Sequence, residues 1–126
     1  SSLLFALLHL GNPDIGILPI LNIALFGLFA SLYLLRTDNV WGIIGLHAAW
    51  NFSQGNIYGF SVSGTGVDAA VLNFIPKSER NWLTGGAFGA EASVFSSLIL
   101  LLAVFYLLIK MKKEGSLTDL VRMGGK

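Results

Sequence analysis

Two long uncharged apolar runs constrain this chain more than any other feature. Residues 17–35, ILPILNIALFGLFASLYLL, and residues 92–109, ASVFSSLILLLAVFYLLI, contain no charged side chain. About 20 apolar residues in a helix cover a hydrocarbon core roughly 30 Å thick. Each run therefore predicts a membrane span. The rest of the 126 residues gives no soluble domain to offset them, since 54% of the chain is hydrophobic and only 12% is charged. Soluble domains carry about 25% charged residues, and a domain of this size still exposes roughly a third of its unfolded surface. With a mean hydropathy of +0.71, the natural solvent for this chain is a bilayer.

A third run, residues 40–60, VWGIIGLHAAWNFSQGNIYGF, is long enough to cross but contains His47, Asn51, Gln54, Asn56 and several glycines. It predicts a polar span. Residues 1–10 are too short to cross alone, and they lead into the turn-forming cluster Gly11-Asn12-Pro13-Asp14. They read as the last turns of a helix. The expected fold is thus all-α, an integral membrane helical bundle with three full transmembrane helices and the end of a fourth, forming one membrane domain over residues 1–126. Ser1 in place of a methionine, with no basic leader before the apolar run, points to the C-terminal part of a longer protein.

Basic residues set the expected orientation, because short cytoplasmic loops are enriched in Lys and Arg. Arg36 closes the 17–35 run, and Lys110, Lys112 and Lys113 close the last one. Three alternating crossings put both ends on one side. That side is expected to be cytoplasmic, with residues 110–126 as a cytoplasmic tail, in a bacterial cytoplasmic membrane. The long connection 59–91 then lies on the opposite face, where Pro76–Arg80 is expected to begin a short interfacial helix carrying Trp82. In the tail, Ser116-Leu117-Thr118-Asp119 is a weak capping-box pattern.

Several function classes drop out. A net charge of +1 lacks the clustered basic face of a nucleic-acid binder. Without cysteine there is no disulfide, thiolate nucleophile or cysteine metal site. Attention falls on the polar residues inside the spans, which are costly there and mark functional sites by default. His47 and Asn51, four positions apart, share one helix face. His9 follows Phe5 by the same spacing, near the Gly11-Asn12-Pro13 turn. The bland alternative is that each merely hydrogen-bonds a neighbouring helix, a contact worth on average about 0.6 kcal/mol.

The motifs F-x-x-x-H, here Phe5-Ala6-Leu7-Leu8-His9, and H-x-x-x-N, here His47-Ala48-Ala49-Trp50-Asn51, resemble the second and third motifs of the CPBP family of CAAX-processing and bacteriocin-processing intramembrane proteases, also called the Abi family. The stretch Leu83-Thr84-Gly85-Gly86-Ala87-Phe88-Gly89-Ala90-Glu91 resembles the glycine-rich entry to the final helix of bacterial members. The resemblance implies a CAAX-type endopeptidase, of metalloprotease or glutamate-protease type. His9 would assist water activation, while His47 and Asn51 would bind or polarise the scissile carbonyl. It also implies a divalent metal such as zinc as candidate cofactor, with His9 and His47 as candidate ligands, although two histidines alone make an incomplete site. Partners would be a peptide or protein substrate and the lipid bilayer, with no nucleic acid. Prenylated C-terminal peptides, leader peptides and membrane-protein segments are the substrate classes.

The family's first motif, Glu-Glu-x-x-x-Arg, is absent from this sequence. Neither Glu79 nor Glu91 has the required neighbours, so neither carries over as the catalytic glutamate, and the chain alone is expected to be inactive. Depth poses a second difficulty. At 1.5 Å per residue, His9 and His47 come out about 7–12 Å apart along the membrane normal, with His9 and Asn51 nearly level. A shared site then requires tilt or an irregular turn near the glycines.

Two other readings compete. A rhomboid-like serine protease is suggested by Ser61-Val62-Ser63-Gly64, but both histidines precede those serines. A non-catalytic membrane protein, such as a transporter subunit, an immunity factor or a scaffold, would use His47 and Asn51 as interhelical contacts.

Overall fold

The computed structural model describes residues 2–115. The capping-box pattern at 116–119 and most of the expected tail lie outside the described residues. Those described form five α-helices with no strand, which bears out the all-α expectation: α1 (Ser2–Leu8), α2 (Ile17–Thr37), α3 (Val40–Phe52), α4 (Asn81–Thr84) and α5 (Val94–Lys113).

The number of full spans needs correction. Two helices, α2 and α5, are long and apolar enough to cross a membrane, not three. The third run forms only the 13-residue α3, followed by a π-helical turn over Ser53–Ile57. Its α-helical hydrogen bonding stops where the sequence becomes Ser-Gln-Gly-Asn, and even the combined 40–57 stretch rises at most about 27 Å. The expected interfacial helix is also shorter and later than predicted: α4 carries Trp82 but begins at Asn81 rather than near Pro76.

Helices α2 and α5 run side by side in the same direction. Near their N-terminal ends, Asn22 reaches the backbone of Glu91 and Ser93 and the hydroxyl of Ser97. At their C-terminal ends, Arg36 grips Glu114 through two bonds, Nε to Oε2 at 3.0 Å and Nη2 to Oε1 at 2.9 Å. Between the ends, Leu32, Val104, Leu107 and Met111 form a buried cluster against Phe29 and Tyr33. The basic clusters after the two long runs therefore lie at one end of the bundle, as charge placement predicts.

A second cluster of Ala6, Ile23, Phe88 and Ala92 joins α1, α2 and the loop before α5. Helix α3 connects to α2 through a tight turn. Asp38 caps α2 in the left-handed conformation, and the Asn39 side chain accepts the Trp41 N–H to start α3. No residue of α3 is fully buried. Trp41, Ile44 and Phe52 are exposed on it, an apolar surface suited to lipid.

Candidate active site

The sequence places His9 at the end of a helix that tightens as it stops. The amides of His9 and Leu10 bond carbonyls only three residues back, Ala6 and Leu7. His9 Nδ1–H donates to the Phe5 carbonyl at 2.8 Å. Because a carbonyl can only accept, the neutral ring keeps its lone pair on Nε2.

On α3, Asn51 Nδ2–H donates to His47 Nε2 at 3.1 Å. That bond leaves the His47 proton on Nδ1. The two imidazoles thus present opposite faces of the same chemistry, His9 a free acceptor and His47 a free donor. Phe5 packs against both, its ring centroid 4.6 Å from that of His9 and 6.1 Å from that of His47. Phe26 on α2 stacks at 5.1 Å from His47. A residue that looks like plain core packing in F-x-x-x-H therefore touches both imidazoles.

His9, His47 and Asn51 line one cavity of about 240 Å³. Its remaining wall is mostly apolar, with Phe26, Phe29, Ile99, Leu100 and Ala103 from α2 and α5. A cavity that joins a few convergent polar groups to apolar walls is the usual form of a small-ligand or substrate site. Immediately past Asn51 comes the π-turn, a distortion that recurs at functional sites.

The cavity also holds a residue that motif reasoning set aside. Glu91, from the turn before α5, lines the same wall, as do Ser63 and Asn22. Glu91 Oε1 accepts the Ser63 hydroxyl at 2.7 Å and the Ser63 backbone N–H. Ser63 sits at φ +50° and Gly64 at φ +82° between Val62 and Thr65, which pair with each other. Two successive positive φ values in a two-residue turn are the type I′ pattern. The turn is pinned from outside as well: Asn12 Nδ2–H donates to the Ser63 carbonyl at 3.0 Å, and the Gly64 amide donates to that of Phe88 at 2.9 Å. Gly89, at φ +114°, lies so close to the Ser61 carbonyl and Gln54 that a Cβ would collide with both. The glycines of the Leu83–Glu91 stretch thus serve to bring Glu91 in.

A sequence signal for Glu91 did exist. It is the one charged residue between Arg80 and Lys110. Glu79, by contrast, is exposed and not part of the cavity wall.

The serine-protease reading finds no support here. Ser63 donates to a carboxylate, and among the described residues neither Ser61 nor Ser63 bonds a histidine. The His47–Asn51 bond lies within one helix, and His47 packs against the rings of Phe5 on α1 and Phe26 on α2. No three His, Asp or Glu side chains among the described residues are grouped to hold an ion, whereas catalytic zinc has three protein ligands.

Residues 1–53, which contain both motifs, match the family model of type II CAAX prenyl endopeptidases, described as Rce1-like. Through this segment, less than half of its length, the chain is similar to CAAX-type proteases of the CPBP family. No curated protein and no solved structure matches the chain. The matched segment spans α1, α2 and α3 and ends two residues after Asn51, so the elements that carry His9 and His47 fall inside it. The match and the two helices long and apolar enough to cross a membrane both point to a membrane protein.

Proposed function

We propose that the chain forms the catalytic region of a CAAX-type intramembrane endopeptidase, hydrolysing a peptide bond near the end of a prenylated substrate. The observation that carries this reading is the meeting of His9, His47 and Asn51 in one largely apolar cavity. Amide hydrolysis needs an acceptor to orient or deprotonate water and a donor for the oxyanion that develops on the carbonyl. His9 Nε2 is the acceptor that orients the water. His47 Nδ1–H is the donor to the carbonyl oxygen, with Asn51 fixing the tautomer that makes it so. The apolar wall of Phe26, Phe29, Ile99, Leu100 and Ala103 suits a hydrocarbon chain attached to the peptide. Leader peptides and membrane-protein segments are the other substrate classes that such a wall accommodates.

A metal such as zinc would need ligands beyond His9 and His47, and no step here is routed through one. The end of the bundle that carries Arg36 and Lys110 is assigned to the cytoplasmic side from its basic residues.

Cleavage of a fluorogenic farnesylated peptide by the full-length protein in detergent or proteoliposomes tests the reading. His9→Ala and His47→Ala should each lower turnover by about 10²–10⁴-fold while leaving the helical circular-dichroism signal intact. Full activity in both variants would overturn the assignment.

A further inference from the structure

Residues 69–76, AAVLNFIP, are uncharged and stand between Asp68 and Lys77. They belong to no helix or strand, yet they are tied to the protein. The amides of Val71, Leu72 and Phe74 donate to the carbonyls of Asn56, Ile57 and Tyr58 at 2.9, 2.8 and 3.1 Å. The three carbonyls before those, of Ser53, Gln54 and Gly55, accept the amides of Tyr58, Phe60 and Gly59. Six successive carbonyls at the end of the α3 run are thus each met by a backbone donor. A helix that ends in water can leave its last four carbonyls to solvent; one that ends at membrane depth cannot. The close approach depends on Gly59, at φ +76°, where a Cβ would stand 2.9 Å from the Leu72 carbonyl oxygen. Depth agrees with this reading. Asn56 to Tyr58 lie 16 to 18 residues past Val40, which starts α3 at the basic end of the bundle. That is at most about 24–27 Å along the axis, and tilt only shortens it, against a hydrocarbon core roughly 30 Å thick.

We propose that residues 69–76 are a lipid-contacting strip, seated on the phospholipid bilayer at the margin of its core away from the basic end, and not a loop in water. Val71 and Ile75 are 80% and 79% exposed, and Leu72 and Phe74 are exposed beside them. This surface continues the lipid-facing belt of the bundle, where Ile17 at the start of α2 and Phe95 and Leu98 near the start of α5 are exposed as well. Trp82, also exposed, follows the charged residues Lys77, Glu79 and Arg80, the composition of a membrane–water boundary. Within the strip only Asn73 has a polar side chain. A protein partner would find almost nothing there to fix its register, whereas acyl chains need no register. The edge of the strip that is not paired with the π-turn faces the headgroups and their water, because irregular backbone is not tolerated deeper in lipid. The connection 59–91 therefore returns to the membrane in its middle, and the strip closes the end of the helix that carries His47 and Asn51. None of this depends on the chemistry of the cavity.

Nitroxide labels test the proposal in the full-length protein, reconstituted in phosphatidylcholine and phosphatidylglycerol liposomes. Val71→Cys and Ile75→Cys are the probes and Glu79→Cys the reference; residues 1–126 contain no cysteine of their own, and any elsewhere is replaced by serine. At positions 71 and 75, collisions with dissolved oxygen should exceed those with a water-soluble nickel chelate severalfold, and at position 79 the chelate should dominate. Chelate access at 71 and 75 equal to that at 79 overturns the proposal, because the segment is then in water. Low access to both reagents at 71 and 75 overturns it too, because the strip is then covered by protein. Should the labelled variants fail to fold, the unaltered protein carries the test in liposomes whose lipids bear a diazirine near the glycerol end of the acyl chain. Irradiation should attach lipid to the peptide containing residues 69–76; adducts on α2 and α5 with none on that peptide would overturn the assignment.

Discussion

Asn22 should be worth far more to this fold than one polar residue in an apolar helix suggests. It is 3% exposed and makes three bonds at once: Nδ2–H donates to the Glu91 carbonyl at 2.8 Å and the Ser93 carbonyl at 3.0 Å, and Oδ1 accepts the Ser97 hydroxyl at 2.6 Å. Asn22→Leu keeps the volume and removes all three. The losses are unequal. Ser93 keeps the Ser97 amide at 3.2 Å, and the Ser97 hydroxyl, already 3.4 Å from the Ser93 carbonyl, can turn to it. The Glu91 carbonyl keeps no other protein donor among the described residues, and an orphaned buried acceptor costs about 1–3 kcal/mol. The two weakened contacts add about 0.6 kcal/mol each at the membrane average, and the buried leucine returns a similar amount. The expected net destabilisation is about 1–3 kcal/mol. Asn22→Asp should be worse at neutral pH, because it sets a carboxylate against two carbonyl oxygens where a donor stood. Equilibrium unfolding in mixed micelles of mild detergent and dodecyl sulfate measures both. A leucine variant as stable as wild type, or an aspartate variant no worse than leucine, would refute this account of how the α5 entrance is tied to α2.

Three further predictions follow from other parts of the structure. Asn51→Leu frees His47 Nε2 and with it the choice of tautomer, so turnover of the farnesylated peptide should fall about tenfold or more with little change in melting temperature; unchanged turnover would remove Asn51 from the site. Gly89→Ala forces a side chain into the left-handed region and against the Ser61 carbonyl and Gln54, and should cost about 1–3 kcal/mol in the same unfolding assay. Hydrogen bonding to Arg36 holds the Glu114 carboxyl below the usual carboxylate range. The pair's contribution is therefore present above the unfolded-state pKa and lost as pH falls through the folded one, so the melting-temperature advantage over Glu114→Gln should shrink on acidification and stay constant from neutral to mildly basic pH.

The long-range order of this fold was partly written in its local sequence. Runs of apolar residues give α2 and α5 because backbone groups in lipid must bond within their own segment, a constraint that acts locally. His9, His47 and Asn51 could be found by motif, since a four-residue spacing on a helix is local too. The end of α3 was not legible. Length suggested a crossing, whereas the buried Gln54, bonded through Nε2 to the Ser61 carbonyl at 2.6 Å, draws the chain into a π-turn and back toward the bundle. Glu91 was missed for a related reason. Its partner Ser63 lies 28 residues away, and the contact exists only because a type I′ turn and Gly89 allow two backbone segments to close on each other. Motif reasoning asked whether Glu91 had the right neighbours in sequence, and its relevant neighbours are in space.

That contrast bears on how a hydrolytic site can exist in an apolar bundle. Each polar group placed at membrane depth carries a desolvation cost unless it is bonded, yet a reactive group must keep one valence open. The cavity meets both demands by splitting each side chain's capacity. His9 spends Nδ1–H on its own helix and keeps Nε2, His47 spends Nε2 on Asn51 and keeps Nδ1–H, and Glu91 spends Oε1 on Ser63 and keeps Oε2. Every bonded half is satisfied within α1, within α3 or between the Ser63 turn and the segment preceding α5, so none depends on substrate for its orientation. The open halves are one hydrogen-bond donor and two acceptors, the complement that water and a peptide carbonyl require. A set of polar residues retained only for packing would have no reason to divide its bonds in this way, because full mutual pairing would cost less.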